Sequence, residues 1–138
     1  MHKTLKRRHI TLSLVLAALV VGVAPATASA EIVIGDRVGS PGDACDGNNA
    51  ENDNVKVCFQ QDGEWLFVKD VAADGRSAYG EIENRDRICR NLYGQGTWVR
   101  CNYSFREGSA VTFRGYTKDN EGSANLIRNL TTWTADLA

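Results

Sequence analysis

The chain has 138 residues, 43% of them hydrophobic and 24% charged, with 16 lysines and arginines against 17 aspartates and glutamates. That balance excludes the broad basic face that nucleic acid or an anionic membrane surface requires. Both histidines, His2 and His9, lie in the first ten residues, so the rest of the chain lacks the commonest general base and the commonest zinc ligand.

The N-terminal segment reads as an export signal. Lys3, Lys6, Arg7 and Arg8 precede an apolar run over about 10–24, Pro25 breaks any helix, and Ala28-Ser29-Ala30 supplies the small-x-small pattern of a cleavage site. The run is shorter than the ~20 apolar residues a membrane-spanning helix needs. No cysteine follows the site, which argues against a lipid anchor. The expectation is a secretory signal peptide over 1–30 and one mature domain over 31–138. Removing the first 30 of 138 residues leaves 108, and takes away four basic residues and no acidic one, for a net charge of −5. The mature chain is expected outside the cell, as a monomer with no membrane or nucleic-acid partner.

All four cysteines, Cys45, Cys58, Cys89 and Cys101, fall in the mature part. An even count in a short exported chain reads as two disulfides rather than a metal site, and no Cys-x-x-Cys occurs. Of three connectivities, Cys45–Cys58 with Cys89–Cys101 is favoured because each pair brackets one local loop. Each closure of about a dozen residues is worth ~3 kcal/mol on the chain-entropy estimate.

In chain order, residues 32–34 form a first short strand, followed by the polar loop Asp43-Ala44-Cys45-Asp46-Gly47-Asn48-Asn49-Ala50-Glu51-Asn52-Asp53-Asn54. Asp43, Asp46, Glu51 and Asp53 make it a candidate calcium loop. The EF-hand pattern fails at Ala50 and Glu51, where the third ligand and the glycine belong. A solvated loop pinned by Cys45 is the simpler expectation, with no metal and no cofactor. The strongest element is a hairpin of 55–60 with 65–68 around Asp62-Gly63. It pairs 59 with 66 and 57 with 68, placing Val57, Phe59, Leu66 and Val68 on one face. Cys58, Trp65 and Phe67 take the other face, over which the Cys45 loop should fold.

A turn at Asp74-Gly75 leads into a strand over 77–83. Asn84-Arg85-Asp86 then reverses the chain, setting Ile82 against Ile88 and Glu83 opposite Arg87. Gly94-Gln95-Gly96 turns into a strand over 98–103, letting Cys101 reach Cys89 across a hairpin. Arg106-Glu107-Gly108 opens a long strand over 110–118, a polar turn follows at 119–122, and 126–134 closes the sheet. Seven or eight short strands at hairpin spacing predict an all-β fold, a small disulfide-stapled β-sandwich (Ig-like or Greek-key), with a closed barrel as runner-up.

Three stretches, Lys69-Asp70-Val71-Ala72-Ala73-Asp74-Gly75-Arg76-Ser77-Ala78, Cys101-Asn102-Tyr103-Ser104-Phe105-Arg106-Glu107-Gly108 and Val111-Thr112-Phe113-Arg114, resemble a group of small secreted actinobacterial proteins of unknown function. The resemblance runs from about Val55 to Trp133. It implies export and a β domain with paired cysteines, and carries over no catalytic residue. Proteinaceous hydrolase inhibitors share size and disulfide count with this chain, but no motif.

The missing histidines remove Ser-His-Asp and Cys-His catalysis, and paired cysteines leave no thiolate. A carboxylate pair such as Glu81 and Glu83 is the remaining route, as in glycoside hydrolysis. On an exposed strand face such a pair is usually just solvated, so no enzyme and no catalytic residue is expected. Trp65, Trp98 and Trp133, with Tyr79, Tyr93, Tyr103 and Tyr116, are candidates for a sugar-stacking platform on one sheet. For any single tryptophan the simpler expectation is packing, with Trp65 and Trp98 beside the disulfides. Arg85, Arg87, Arg90, Arg100, Arg106 and Arg114 are interleaved with acids, which predicts a salt-bridged surface. The leading expectation is a secreted, non-enzymatic binding protein whose extracellular partner is a cell-wall carbohydrate or a protein. The Asn-rich loop and the Gly94-Gln95-Gly96 turn would serve as recognition loops. A secreted hydrolase inhibitor or toxin-like protein is the alternative.

Overall fold

The computed structural model describes residues 29–119 and 126–138; the proposed signal peptide, save its last two residues, and most of the 119–122 turn lie outside them. Among the described residues the strands are β1 Glu31–Ile34, β2 Asp36–Val38, β3 Asn49–Glu51, β4 Val55–Gln60, β5 Trp65–Asp70, β6 Arg76–Ile82, β7 Arg87–Asn91, β8 Trp98–Asn102, β9 Ala110–Asp119, β10 Ile127–Arg128 and β11 Thr134–Leu137. A 3₁₀ turn spans Gly42–Cys45. The strands form two sheets, β2-β8-β5-β4-β3 and β1-β7-β6-β9-β10, with β11 also on β9. The fold is an all-β disulfide-stapled sandwich, not a closed barrel.

The β4–β5 hairpin has the register its pattern demands, Phe59 opposite Leu66 and Val57 opposite Val68. Those four side chains are buried between the sheets with Val55, Ala78, Ile82, Val99, Val111 and Phe113. The turn is closed by the Glu64 amide donating to the Gln61 carbonyl at 3.1 Å. Its positive φ angles fall on Gly63 (84°) and Glu64 (53°), the first of which favours glycine.

The β6–β7 hairpin departs from expectation by one residue. Glu81, not Ile82, lies opposite Ile88, and Gly80 lies opposite Cys89. The reversal begins two residues early: the Arg85 amide bonds the Ile82 carbonyl at 3.2 Å, with Asn84 at φ 58°. Glu83 is drawn to β9 instead, its amide donating to the Thr112 carbonyl at 2.8 Å. A one-residue slip exchanges faces, so Ile82 enters the core while Ile88 stays half-buried on the outer face. The expected Glu83–Arg87 pair does not form.

The largest correction concerns β8, which leaves its predicted hairpin partner and joins the other sheet beside β5. Asn91, fully buried, explains the crossing. Its Nδ2 donates to the carbonyls of Val68 (3.1 Å) and Thr97 (2.8 Å), while its Oδ1 accepts from the Tyr93 amide and the Thr97 hydroxyl. The side chain thus ties β5 to the 91–97 connection as the chain changes sheet, adding to the bond the Thr97 carbonyl accepts from the Asp70 amide at 3.2 Å. Both predicted disulfides are present, with Cα separations of 5.4 Å for Cys45–Cys58 and 5.8 Å for Cys89–Cys101. The second joins the two sheets rather than one hairpin. Because β5 pairs β8 in one sheet and β6 pairs β9 in the other, the connections are of Greek-key type.

Gly80 and Gly115, opposite each other on β6 and β9, leave room for side chains of the facing sheet. A Cβ on Gly80 would sit 2.6 Å from Val68 Cγ2, and one on Gly115 2.8 Å from Val57 Cγ2. The expected strand over 126–134 is two pieces, β10 and β11, both on β9. Between them Asn129 takes φ 51° and its Nδ2 donates to the Thr117 hydroxyl at 2.9 Å, while Thr131 exchanges two bonds of 2.9 Å with the Gly115 backbone.

Candidate functional site

The Asn-rich loop is a seam between the sheets. Asn48 Nδ2 donates to the Ala135 carbonyl (3.0 Å), Asn52 Nδ2 to the Asn129 carbonyl (2.7 Å) and Asn49 Nδ2 to the Cys45 carbonyl (2.9 Å). Thr134 returns a bond to the Asn49 carbonyl at 3.2 Å. Side chains expected to meet a ligand are thus committed to holding the C-terminal segment against β3. Of the calcium candidates Asp43, Asp46, Glu51 and Asp53, Glu51 pairs with Lys56 at 3.0 Å. Among the described residues no three metal-binding side chains converge. The Gly94-Gln95-Gly96 turn is likewise tied down, with the Gly96 amide on the Asp70 carbonyl (2.8 Å) and Gln95 on the Val71 carbonyl (3.3 Å).

The three tryptophans do not form one platform. Trp65 and Trp98 lie on the outer face of the β5–β8 sheet, where Cys45, Cys58, Phe67, Ala44 and Val38 pack with them as a second apolar cluster. Trp98 is only 9% exposed. Trp133 precedes β11 and belongs to the opposite sheet, 40% exposed. The tyrosines divide too. Tyr79 and Tyr116 stack face to face on β6 and β9, ring centroids 5.2 Å apart, and are buried. Tyr103 is also buried, its hydroxyl donating to the Arg87 carbonyl at 3.1 Å and pushed up to about 12 by that burial.

Each tryptophan ring carries a cation instead. Arg100 lies 4.1 Å from the Trp65 centroid, Lys69 5.6 Å from Trp98 and Arg114 4.2 Å from Trp133. Arg85 covers Phe105 at 4.5 Å, Arg87 covers Tyr103 at 5.6 Å, and Arg37 covers Tyr93 at 5.7 Å. The salt-bridged arginine surface expected from the sequence is therefore largely absent. Arg114 does pair with Glu81 at 2.9 Å, and Arg76 with Asp74 and Asp119. Arg85, Arg87 and Arg100 form no ion pair among the described residues. Alternation brought these arginines onto aromatic neighbours, not onto the acids adjacent in sequence.

Glu81 is neutralised by Arg114, and Glu83 sits exposed at a turn, so they do not converge on a cleft as a carboxylate pair would. The carboxyl whose pKa is raised is Asp70, which the sequence reading passed over. It is 2% exposed, its Oδ2 has no hydrogen-bond partner, and its pKa is raised to about 6 by burial and then by Asp74, against a backbone bond from Ala72. The signal was available: Leu66, Val68 and Asp70 alternate, so Asp70 shares their inward phase.

Shallow clefts gather at the opposite end of β5. One, of about 320 Å³, is lined by Asn84, Arg85, Asp86, Arg87, Tyr103 and Ser104. Another, of about 270 Å³, lies between the sheets beside β1 and β2, with Arg87, Arg100, Asp36, Asn102 and Trp65 in its wall. Among the described residues, no helix is long and apolar enough to cross a membrane. Compared with known proteins, the chain gives no significant match to any family model, curated protein or solved structure.

Proposed function

We propose that this chain is an exported, non-enzymatic binding protein whose partner is an extracellular protein. The observation that carries the reading is the setting of Trp133. The ring is exposed, Arg114 is stacked on it, and Glu81 holds the guanidinium from behind with bonds of 2.9 Å. Exposed Ile127 and Leu130 belong to the same C-terminal segment. Trp and Arg fixed in place before binding, beside apolar side chains, have the composition of an interface hot spot. A single exposed tryptophan suits a protein contact better than a polysaccharide, which needs several rings in a row.

Export is supported by the N-terminal pattern and two disulfides. The non-enzymatic reading is supported by a mature chain without histidine, by the absence of a free cysteine, and by Glu81 being occupied.

The test combines co-sedimentation of the secreted protein with chitin, cellulose and peptidoglycan, with and without EDTA, and capture of proteins from culture supernatant. The expected result is no depletion onto any polymer, together with a supernatant protein retained by the native chain and lost with Trp133→Ala. Depletion onto one polymer would replace the protein partner with a carbohydrate, and its loss in EDTA would return the calcium loop to consideration.

A further inference from the structure

The arginines of the 270 Å³ cleft are arranged unlike the others on the surface. Arg114 and Arg76 are each anchored by carboxylates. Arg87 and Arg100 both line this cleft, come from different sheets, and form no ion pair among the described residues. Each is oriented by an aromatic ring, Tyr103 under Arg87 and Trp65 under Arg100. Arg87 makes only a 3.3 Å bond to the Asn102 carbonyl. Arg100 Nε is buried with no acceptor among the described residues. Stacking thus fixes the two guanidinium planes while leaving most of their hydrogen-bonding capacity unspent.

Asp36 is the one carboxylate lining the cleft. It lies opposite Arg100 in the β2–β8 register yet makes no ion pair with it. The lining therefore holds two cations against one anion. Asn102 uses its Nδ2 on the Gly63 carbonyl at 2.6 Å, and Val33 and Ile34 complete the wall. The Cys89–Cys101 disulfide, with Cys101 in the wall, joins the sheets that carry the two arginines.

We propose that this cleft binds an oxyanion, the carboxylate or phosphate of a small ligand or of a polymer's charged group, held between Arg87 and Arg100. Planar guanidinium groups match such anions with paired hydrogen bonds. The site is independent of the Trp133 surface, so either can fail without the other.

The test is a titration of the secreted protein at fixed ionic strength, following the Trp65 indole and arginine Nε–H resonances. The probes are inorganic phosphate, galacturonate and uncharged galactose. The proposal expects saturable shifts with phosphate or galacturonate and none with galactose; whichever anion binds more tightly identifies the source. Arg87→Gln and Arg100→Gln should each weaken binding about tenfold or more, the loss expected for one charged hydrogen-bonding partner. Arg100→Lys, which keeps charge but not the planar fork, should also weaken it. Lys69→Gln, on the same outer face but outside the cleft, should leave it unchanged. Shifts that sodium chloride reproduces, saturation by galactose, or full binding by both glutamine variants would overturn the proposal.

Discussion

The two ends of β5 handle polar side chains in opposite ways. At the Asp70 end, Asn91 and Thr97 turn inward and bond backbone groups where the chain crosses between sheets. At the Trp65 end, Arg85, Arg87 and Arg100 lie on aromatic rings without carboxylate partners. The first arrangement completes the fold, because each bond replaces one that water would otherwise make. The second leaves charge directed outwards, where it adds little to the fold and remains available to a ligand. Polarity that completes the fold and polarity proposed to meet a ligand are thus separated along one strand.

The sharpest test of that separation is Asn91→Ala. Truncation removes all four of its hydrogen bonds, although the Thr97 carbonyl keeps the Asp70 amide (3.2 Å) and the Thr97 hydroxyl keeps the Gly94 carbonyl, and should cost about 2–3 kcal/mol. Equilibrium urea unfolding would measure it, and a loss below about 1 kcal/mol would remove the structural role assigned to this end.

Asp70→Asn is next and acts with the opposite sign. The folded-state pKa of Asp70, about 6, lies above its ordinary value of 3.8. Between those values the folded chain holds a proton that the unfolded chain releases. Native stability should therefore fall as pH rises from about 4 to about 6, then level off, by at most about 3 kcal/mol. The asparagine variant should lose that slope and gain roughly 2 kcal/mol at pH 7.5. Thermal unfolding at pH 4, 5, 6 and 7.5 would check both, and an unchanged slope would mean that Asp70 is not the titrating group.

How much of this was legible depended on whether each signal was local. Turn chemistry and alternation both act within 55–70, and they agreed on register; Cys58 on the second face correctly announced that the Cys45 loop would cover it. At β6–β7 the pattern misled, because pairing the apolar Ile82 with Ile88 puts both on one face, whereas the observed register buries Ile82 and leaves Ile88 half-buried on the other. The left-handed backbone at Asn84 decided the matter. The departure of β8 to the second sheet depends on Asn91 meeting the carbonyl of Val68, which no local window around residue 91 contains. The arginine pairings were hidden for a related reason. Acids adjacent in sequence suggested ion pairs, whereas register set each guanidinium over a ring from another strand or turn.

The smallest expected effect probes the other end of the comparison. Arg85 is exposed, stacked on Phe105 at 4.5 Å, and bonded only to the Ser104 carbonyl at a long 3.4 Å. An exposed cation–aromatic contact contributes about 0.5–1 kcal/mol, and Phe105 keeps its edge-on packing against Phe59 without the cation. Arg85→Gln should therefore cost under about 1 kcal/mol in urea unfolding, several times less than Asn91→Ala. A cost near that of the Asn91 change would mean that the stacked arginines hold the Trp65 end together, and that their missing carboxylates are a feature of packing rather than of recognition.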